Sequence, residues 1–424
     1  TFYMDNSPNF VAGQNQYNRI YMDQSGGQVI CNGSTVKYIN FQSGATLLLF
    51  NSSIGRLICS SSLTLNQGNG GNTNIIHYAE VNGSAWIGYN NTFDTLNFPN
   101  PGGKLMLAYG TTQTINQALL INGTCNQLFN LSSSNAGTQA TISMGSGSIS
   151  ASYLLLQDIA ATGGGTFTAN ASIAVSNVSG WTVNSPAPQS LYWVGGSGQW
   201  SDPAHWAITS GGAGGSCVPN PFDNVYFDVN SFTASGQVVY TGTSGIYCKD
   251  MDWTGVAYNP AVSDASTLYC YGSLILNPAM SWNSQININL NATSGSLLIN
   301  PGKQMLGYLN LNGTAQWTLT DSLRASDLYV NAGTFRSNNQ LIRAGSFTAG
   351  SAVYLGTSSI YASSWDGSVS GLGTDSCTFY MDNSPNFVAG QNQYNRIYMD
   401  QSGGQVICNG STVKYINFQS GATL

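Results

Sequence analysis

"LNLNGTAQWTLTDSLRASDLYVNAGTFRSNNQLIRAGSFTAG", residues 309–350, carries one short pattern three times. Leu309 opens "LNLNG", Leu328 opens "LYVNAG" and Phe347 opens "FTAG", each 19 residues after the last. Alternating apolar and polar residues that end at Asn or Gly read as a strand followed by a sharp turn. Elsewhere the same pattern steps by 24 residues, from Ile39 ("INFQSG") to Leu63 ("LTLNQG") and from Leu96 to Leu120. A strand–turn unit recurring at about 20 residues is the signature of a β-solenoid, whose coils bury their apolar side chains only by stacking on one another. A string of β-sandwiches also has short strands, but gives no place to a 19–24-residue recurrence. The fold expected is an all-β parallel solenoid with Leu309, Leu328 and Phe347 in one apolar column.

A second repetition is larger. Residues 1–47 and 378–424 are identical at every position, an offset of 377. The chain reads as one full period of a tandem array plus the start of the next, or as one repeat overlapping itself. On either reading it is a slice of something longer, and Thr1 and Leu424 are not expected to be true termini.

Composition narrows the class. Of the 424 residues, 42% are hydrophobic, enough for a large core, while only 7% are charged against about 25% in an average soluble protein. With 23 Tyr, 16 Phe and 9 Trp the chain is not disordered, and no apolar run approaches a bilayer's thickness. Asn, Ser, Thr, Gln and Gly must form the surface, as in an extracellular β-rich protein. Eleven basic against seventeen acidic residues, without a basic cluster, make nucleic acid a poor partner. Helical patterning is nearly absent; Glu80 is the single glutamate.

One segment breaks the rhythm. Beyond Pro186 and Pro188, Trp193, Trp200 and Trp206 fall within 14 residues in "LYWVGGSGQWSDPAHW". They are expected to form a compact structural cap over 191–230, since a bare solenoid end exposes edge strands. "DNVYFDVNSF" at 223–232 and "CKDMDW" at 248–253 follow. These three motifs, with "YGSLILNPAMSW" and the stretch "LQDIAATGGGTFTA…SGW" at 156–181, resemble a unit of giant tandem-repeat surface proteins of the Bacteroidota. The resemblance spans the 377-residue period. It implies a right-handed parallel β-helix, export by the type IX route, a place at the cell surface, and a role in repetitive adhesins or surface filaments. It names no ligand. On this view 1–190 is the second half of one unit, 191–230 the junction, 231–377 the first half of the next, and 378–424 its continuation.

Chemistry is sparse. The carboxylate pairs are Asp250/Asp252, Asp223/Asp228 and Asp321/Asp327, and acid–base work on a glycan needs such pairs with separated roles. No Arg or His stands near Asp250 and Asp252 in sequence, and surface or turn roles are expected. His77 and His205, the two histidines, sit in no nucleophile motif. Metal-site spacings are missing, so catalytic residues, cofactors and metals are all expected to be none. Cys217 and Cys248 flank the "DNVYFDVNSF" strand and are expected to form a disulfide closing a loop worth roughly 3–4 kcal/mol; Cys31 with Cys59 and Cys377 with Cys408 are weaker pairs. Asp94-Thr95-Leu96 and Asp321-Ser322-Leu323 match a three-residue O-glycosylation pattern, making Thr95 and Ser322 candidate sites. The function expected is a structural or adhesive repeat of a long surface filament. Its partners would be further copies of itself and, through adhesion, surface glycans or other cells, without membrane insertion. The alternatives are a polysaccharide-degrading β-helix enzyme and a carbohydrate-binding module.

Overall fold

A computed structural model describes residues 1–5, 9–23, 27–67, 74–243, 245–399, 404–418 and 423. The chain is 57% strand and 1% helix, and its parallel sheets form a β-solenoid of about 21 turns. Two compact units divide it, Thr1–Pro186 and Ala187–Leu424, a boundary four residues before the one drawn from sequence. Gly68 of "LTLNQG" and Leu424 lie outside the described residues.

In the first unit two series of parallel strands run side by side. One contains Phe2–Met4, Gln16–Met22, Thr35–Phe41, Ser53–Cys59, Asn74–Val81, Asn91–Phe98 and Thr112–Ile121. The other contains Asn9–Gly13, Gly27–Asn32, Ala45–Phe50, Leu63–Gln67, Ala85–Ile87, Lys104–Leu107 and Phe129–Ser133. Alternation within each strand turns every second side chain inward, and the inward residues merge into one core that includes Ile20, Ile39, Leu57, Leu96 and Leu119. The corner between the series is polar and still buried. Ser34 N–H donates to Ser52 Oγ at 3.1 Å and Ser52 N–H to Asn74 Oδ1 at 3.3 Å. Asn74 Nδ2 donates to Asn91 Oδ1 at 3.2 Å, and Asn91 Nδ2 to Gln113 Oε1 at 3.0 Å. Each coil satisfies the polar group of the next, which is the condition for burying such groups at all.

The second unit has its own core, running from Leu191 to Val406. Its longest sheet holds Ile246–Cys248, Thr267–Cys270, Asn287–Leu290, Met305–Leu311, Leu323–Val330, Ile342–Ala349, Ser359–Asp366 and Thr378–Gly390 in order. Leu309 opposes Leu328, and Leu328 opposes Phe347; all three are fully buried. The 19-residue column is therefore as the sequence indicates.

The 24-residue steps need correction. Ile39 pairs with Leu57, 18 residues on, while Leu63 belongs to the other series between Ala45 and Ala85. Leu96 pairs with Leu119, and Leu120 points outward, 48% exposed. The cause is a register shift beyond Phe93, where the step Phe93–Thr95 faces Ile115–Ala118. One extra residue in a strand moves every later side chain to the opposite face.

The two identical segments adopt one register. Phe2 opposes Ile20 and Met4 opposes Met22, as Phe379 opposes Ile397 and Met381 opposes Met399. Asn9–Gln28 and Gly13–Cys31 recur as Asn386–Gln405 and Gly390–Cys408. Their surroundings differ. Strand Ser359–Asp366 pairs with Thr378–Gly390, whereas no strand covers the corresponding side of Phe2–Met4 among the described residues. Phe379 is fully buried and Phe2 is 46% exposed. At the other side, strand Ala45–Phe50 covers Cys31, while Cys408 is exposed.

Candidate functional site

The aromatic cluster is built by its glycines. Gly195 and Gly196 have φ of 81° and 76°, a left-handed turn that side chains resist. A Cβ on Gly198 would lie 1.8 Å from His205 Nε2. The turn lets Trp193 Nε1 donate to the Gly196 carbonyl at 2.7 Å, and His205 stacks on Trp193 at 4.7 Å. Asp202 accepts from Ala204 N–H at 2.9 Å and opens the short 3₁₀ turn Pro203–His205. Trp206 Nε1 donates to the Trp200 carbonyl at 2.7 Å. Trp193, Trp200 and Trp206 are all buried, and they pack on one another and on Phe227, which stacks on Trp253 at 3.6 Å. Strand Trp206–Ala207 pairs antiparallel with Ser190–Trp193 and stands last in its otherwise parallel sheet.

The carboxylate pairs serve the turns. Asp250 Oδ1 accepts from Ser273 N–H at 2.6 Å and Asp252 Oδ1 from Thr254 N–H at 2.7 Å. Asp228 Oδ1 accepts from Asn230 N–H, Asp321 Oδ1 from Ser322 N–H, and Asp327 Oδ1 from Ser346 N–H. Asp223 is buried and takes the N–H groups of Gln189 and Asn220; its burial raises its pKa despite them. A carboxylate bound to a backbone N–H fixes a bend at five of the six, while Asp327 and Ser346 lie on adjacent strands and their bond ties one coil to the next. Among the described residues no group of three or more His, Cys, Asp or Glu is placed to hold a metal ion. His77 meets Asp94 at 2.6 Å, and Asn116 Nδ2 donates to the other Asp94 oxygen at 2.9 Å, an outward polar ladder that lowers the Asp94 pKa. Thr95 is half-buried in mid-strand between Tyr78 and Ala118. Ser322 is half-buried in a turn, its N–H held by Asp321.

The cysteines depart from expectation. Cys217 is disulfide-bonded, as is Cys125, but Cys248 is a free buried thiol. Cys248 lies inward on its strand, in register with Cys270 one coil away, so it faces the core. The weaker pairs are also unformed. Cys31 registers with Leu49 and Cys59 with Phe41 and Val81, in different strand series, and Cys408 registers with Gly390. All four cysteines of those pairs are free.

Sequence reading missed the outward ladders. Tyr361, Tyr380 and Tyr398 occupy successive coils in register, with ring centroids 4.6 and 5.2 Å apart and planes nearly parallel. Arg343 lies 3.9 Å over Tyr361. In the first unit Tyr3 stacks on Tyr21, and Arg56 lies over Tyr78. The 18–19-residue recurrence of Tyr and Arg on outward positions was the signal available. No helix is long and apolar enough to cross a membrane among the described residues. Comparison with protein-family models, curated proteins and solved structures finds no match.

Proposed function

We propose that this chain is a length-bearing repeat of an extracellular filament or giant surface adhesin, assembled from 377-residue units in series. One observation carries the reading. The described strands of the two identical segments pair in the same register, and the second copy stacks on the coil Ser359–Asp366. Ile360 and Tyr361 stand in register against Phe379 and Tyr380, so the last coil before the second copy stacks directly on that copy's first strand. A solenoid gains stability from units and their interfaces, so periods can be added without redesigning a core. Identical periods also repeat any weak binding surface many times, and such contacts add through multivalency. The disulfide-bonded Cys217 and Cys125 fit an oxidising compartment, and the turn-capping carboxylates fit a protein whose polar groups hold shape.

Electron microscopy of the purified native material tests this. About 21 turns in 424 residues correspond to roughly 19 in one period, and at ~4.8 Å per coil each period adds at most about 90 Å. Thin filaments with an axial repeat within that bound are expected. Compact single-chain particles with glycan-cleaving activity would overturn the reading.

A further inference from the structure

The charged residues of the second unit are not scattered evenly. Arg324, Arg343, Arg396 and Lys414 all lie on strands of its longest sheet, and all four are exposed. Arg324 and Arg343 oppose each other in register on adjacent coils, and the column continues as Tyr361, Tyr380 and Tyr398. A groove of about 460 Å³ runs over this column, lined by Met305, Arg324, Arg343, Tyr361, Ser363 and Asp382 among others. Two like charges one coil apart repel each other, and among the described residues neither guanidinium has a carboxylate within ion-pair distance. The contact with Tyr361 holds Arg343 against the surface, but the like-charge pairing with Arg324 does nothing for the fold.

We propose that this groove binds a linear acidic glycan, with uronic-acid carboxylates on Arg324 and Arg343 and the sugar chain running along the solenoid. The guanidinium is a planar fork that takes a carboxylate through two parallel hydrogen bonds. Arg343 is already oriented for this by its stacking on Tyr361, whose ring in turn stacks on Tyr380. Those ring faces are occupied, so the tyrosines position the arginine and offer edges, and the charge pair supplies recognition. Coils recur at ~4.8 Å, close to the length of one sugar ring in an extended glycan, so adjacent arginines match adjacent residues of a polyuronate. Asp382 lines the same groove, accepting from Ser363 Oγ at 3.2 Å. A carboxylate there accepts hydrogen bonds from sugar hydroxyls, which inorganic phosphate and a phosphate diester do not offer.

The site is testable on the 424-residue chain alone, at concentrations where it forms no filaments, so its failure and that of the filament reading are distinct. Affinity electrophoresis through gels containing polygalacturonate should retard the chain in a salt-sensitive way, and dextran gels should not. The R324Q/R343Q variant should lose at least tenfold in apparent affinity with an unchanged melting temperature, because both side chains are exposed. R343K, which keeps the charge and loses the fork, should lose several-fold. K249Q, which removes an exposed charge outside the strands of this sheet, should bind as the parent does. Undiminished binding by R324Q/R343Q, equal retardation by dextran, or binding of heparin or anionic vesicles without binding of polygalacturonate would each overturn the proposal.

Discussion

Ile360 stands in register against Phe379, one coil apart, and both are fully buried; the phenylalanine at position 2, in an identical stretch of sequence, has no strand in that position among the described residues and is 46% exposed. Burial here is a property of the coil next door, not of the residue. Lengthening the chain by residues 48–377 after Leu424 should thus bury Cys408 as Cys31 is buried. In the 424-residue chain, iodoacetamide under native conditions should label Cys408 and spare Cys31. Burial also pushes the Cys31 and Cys377 thiols up to about 12 and raises that of Cys248, removing the reactive thiolate at neutral pH. Labelling of Cys31 as fast as Cys408 would contradict the coil order.

The central column should be costly to empty. Leu328 sits between Leu309 and Phe347 with none of its surface exposed. Leu328→Ala should cost about 2–5 kcal/mol through lost transfer energy and a residual cavity. Leu120→Ala, on the outward face, should cost less than about 0.5 kcal/mol. Urea titrations of the two variants compare them directly, and similar midpoints would mean that the register beyond Phe93 is wrong.

At the aromatic cluster, Trp200→Ala should cost about 3–5 kcal/mol. Gly198→Ala tests the turn more finely, because the added methyl meets the His205 ring. It should displace His205 from Trp193 and change the tryptophan emission before the chain unfolds. An unaltered spectrum and midpoint would show that the turn does not need glycine there.

Asp94 gives a pH test. Its pKa is lowered first by the Asn116 hydrogen bond and then by that of His77. A depressed folded pKa adds stability above the unfolded value, about 3.9, and that stability is lost as pH falls through the folded value. Asp94→Asn should therefore melt lower than the parent at pH 6 and converge with it near pH 2. Asp223, raised by burial, has the opposite sign: its contribution is full below the unfolded value and lost as pH rises through the folded one. A gap between Asp94→Asn and the parent that persists at pH 2 would remove the charge from the account.

Local pattern alone determined the coil. Strand alternation is a backbone property of period two, and Asn and Gly mark bends by their own conformational tolerance, so Leu309, Leu328 and Phe347 could be aligned from spacing. Clustering of Trp193, Trp200 and Trp206 was legible for the same reason: they are close in sequence, and large apolar rings are buried wherever a core exists. Stacking decided the rest. Which leucine, 119 or 120, faces inward depends on one extra residue opposite Phe93–Thr95, and spacing cannot see a bulge. Cys248 looked like the partner of Cys217 by position in the chain, but its strand turns it into the core beside Cys270. The arginine pair and the tyrosine ladder exist only across coils, between residues 18 or 19 apart that no single strand brings together. In a solenoid the neighbour that fixes a side chain's environment is one coil away, so sequence gives the period and only the register gives the surface.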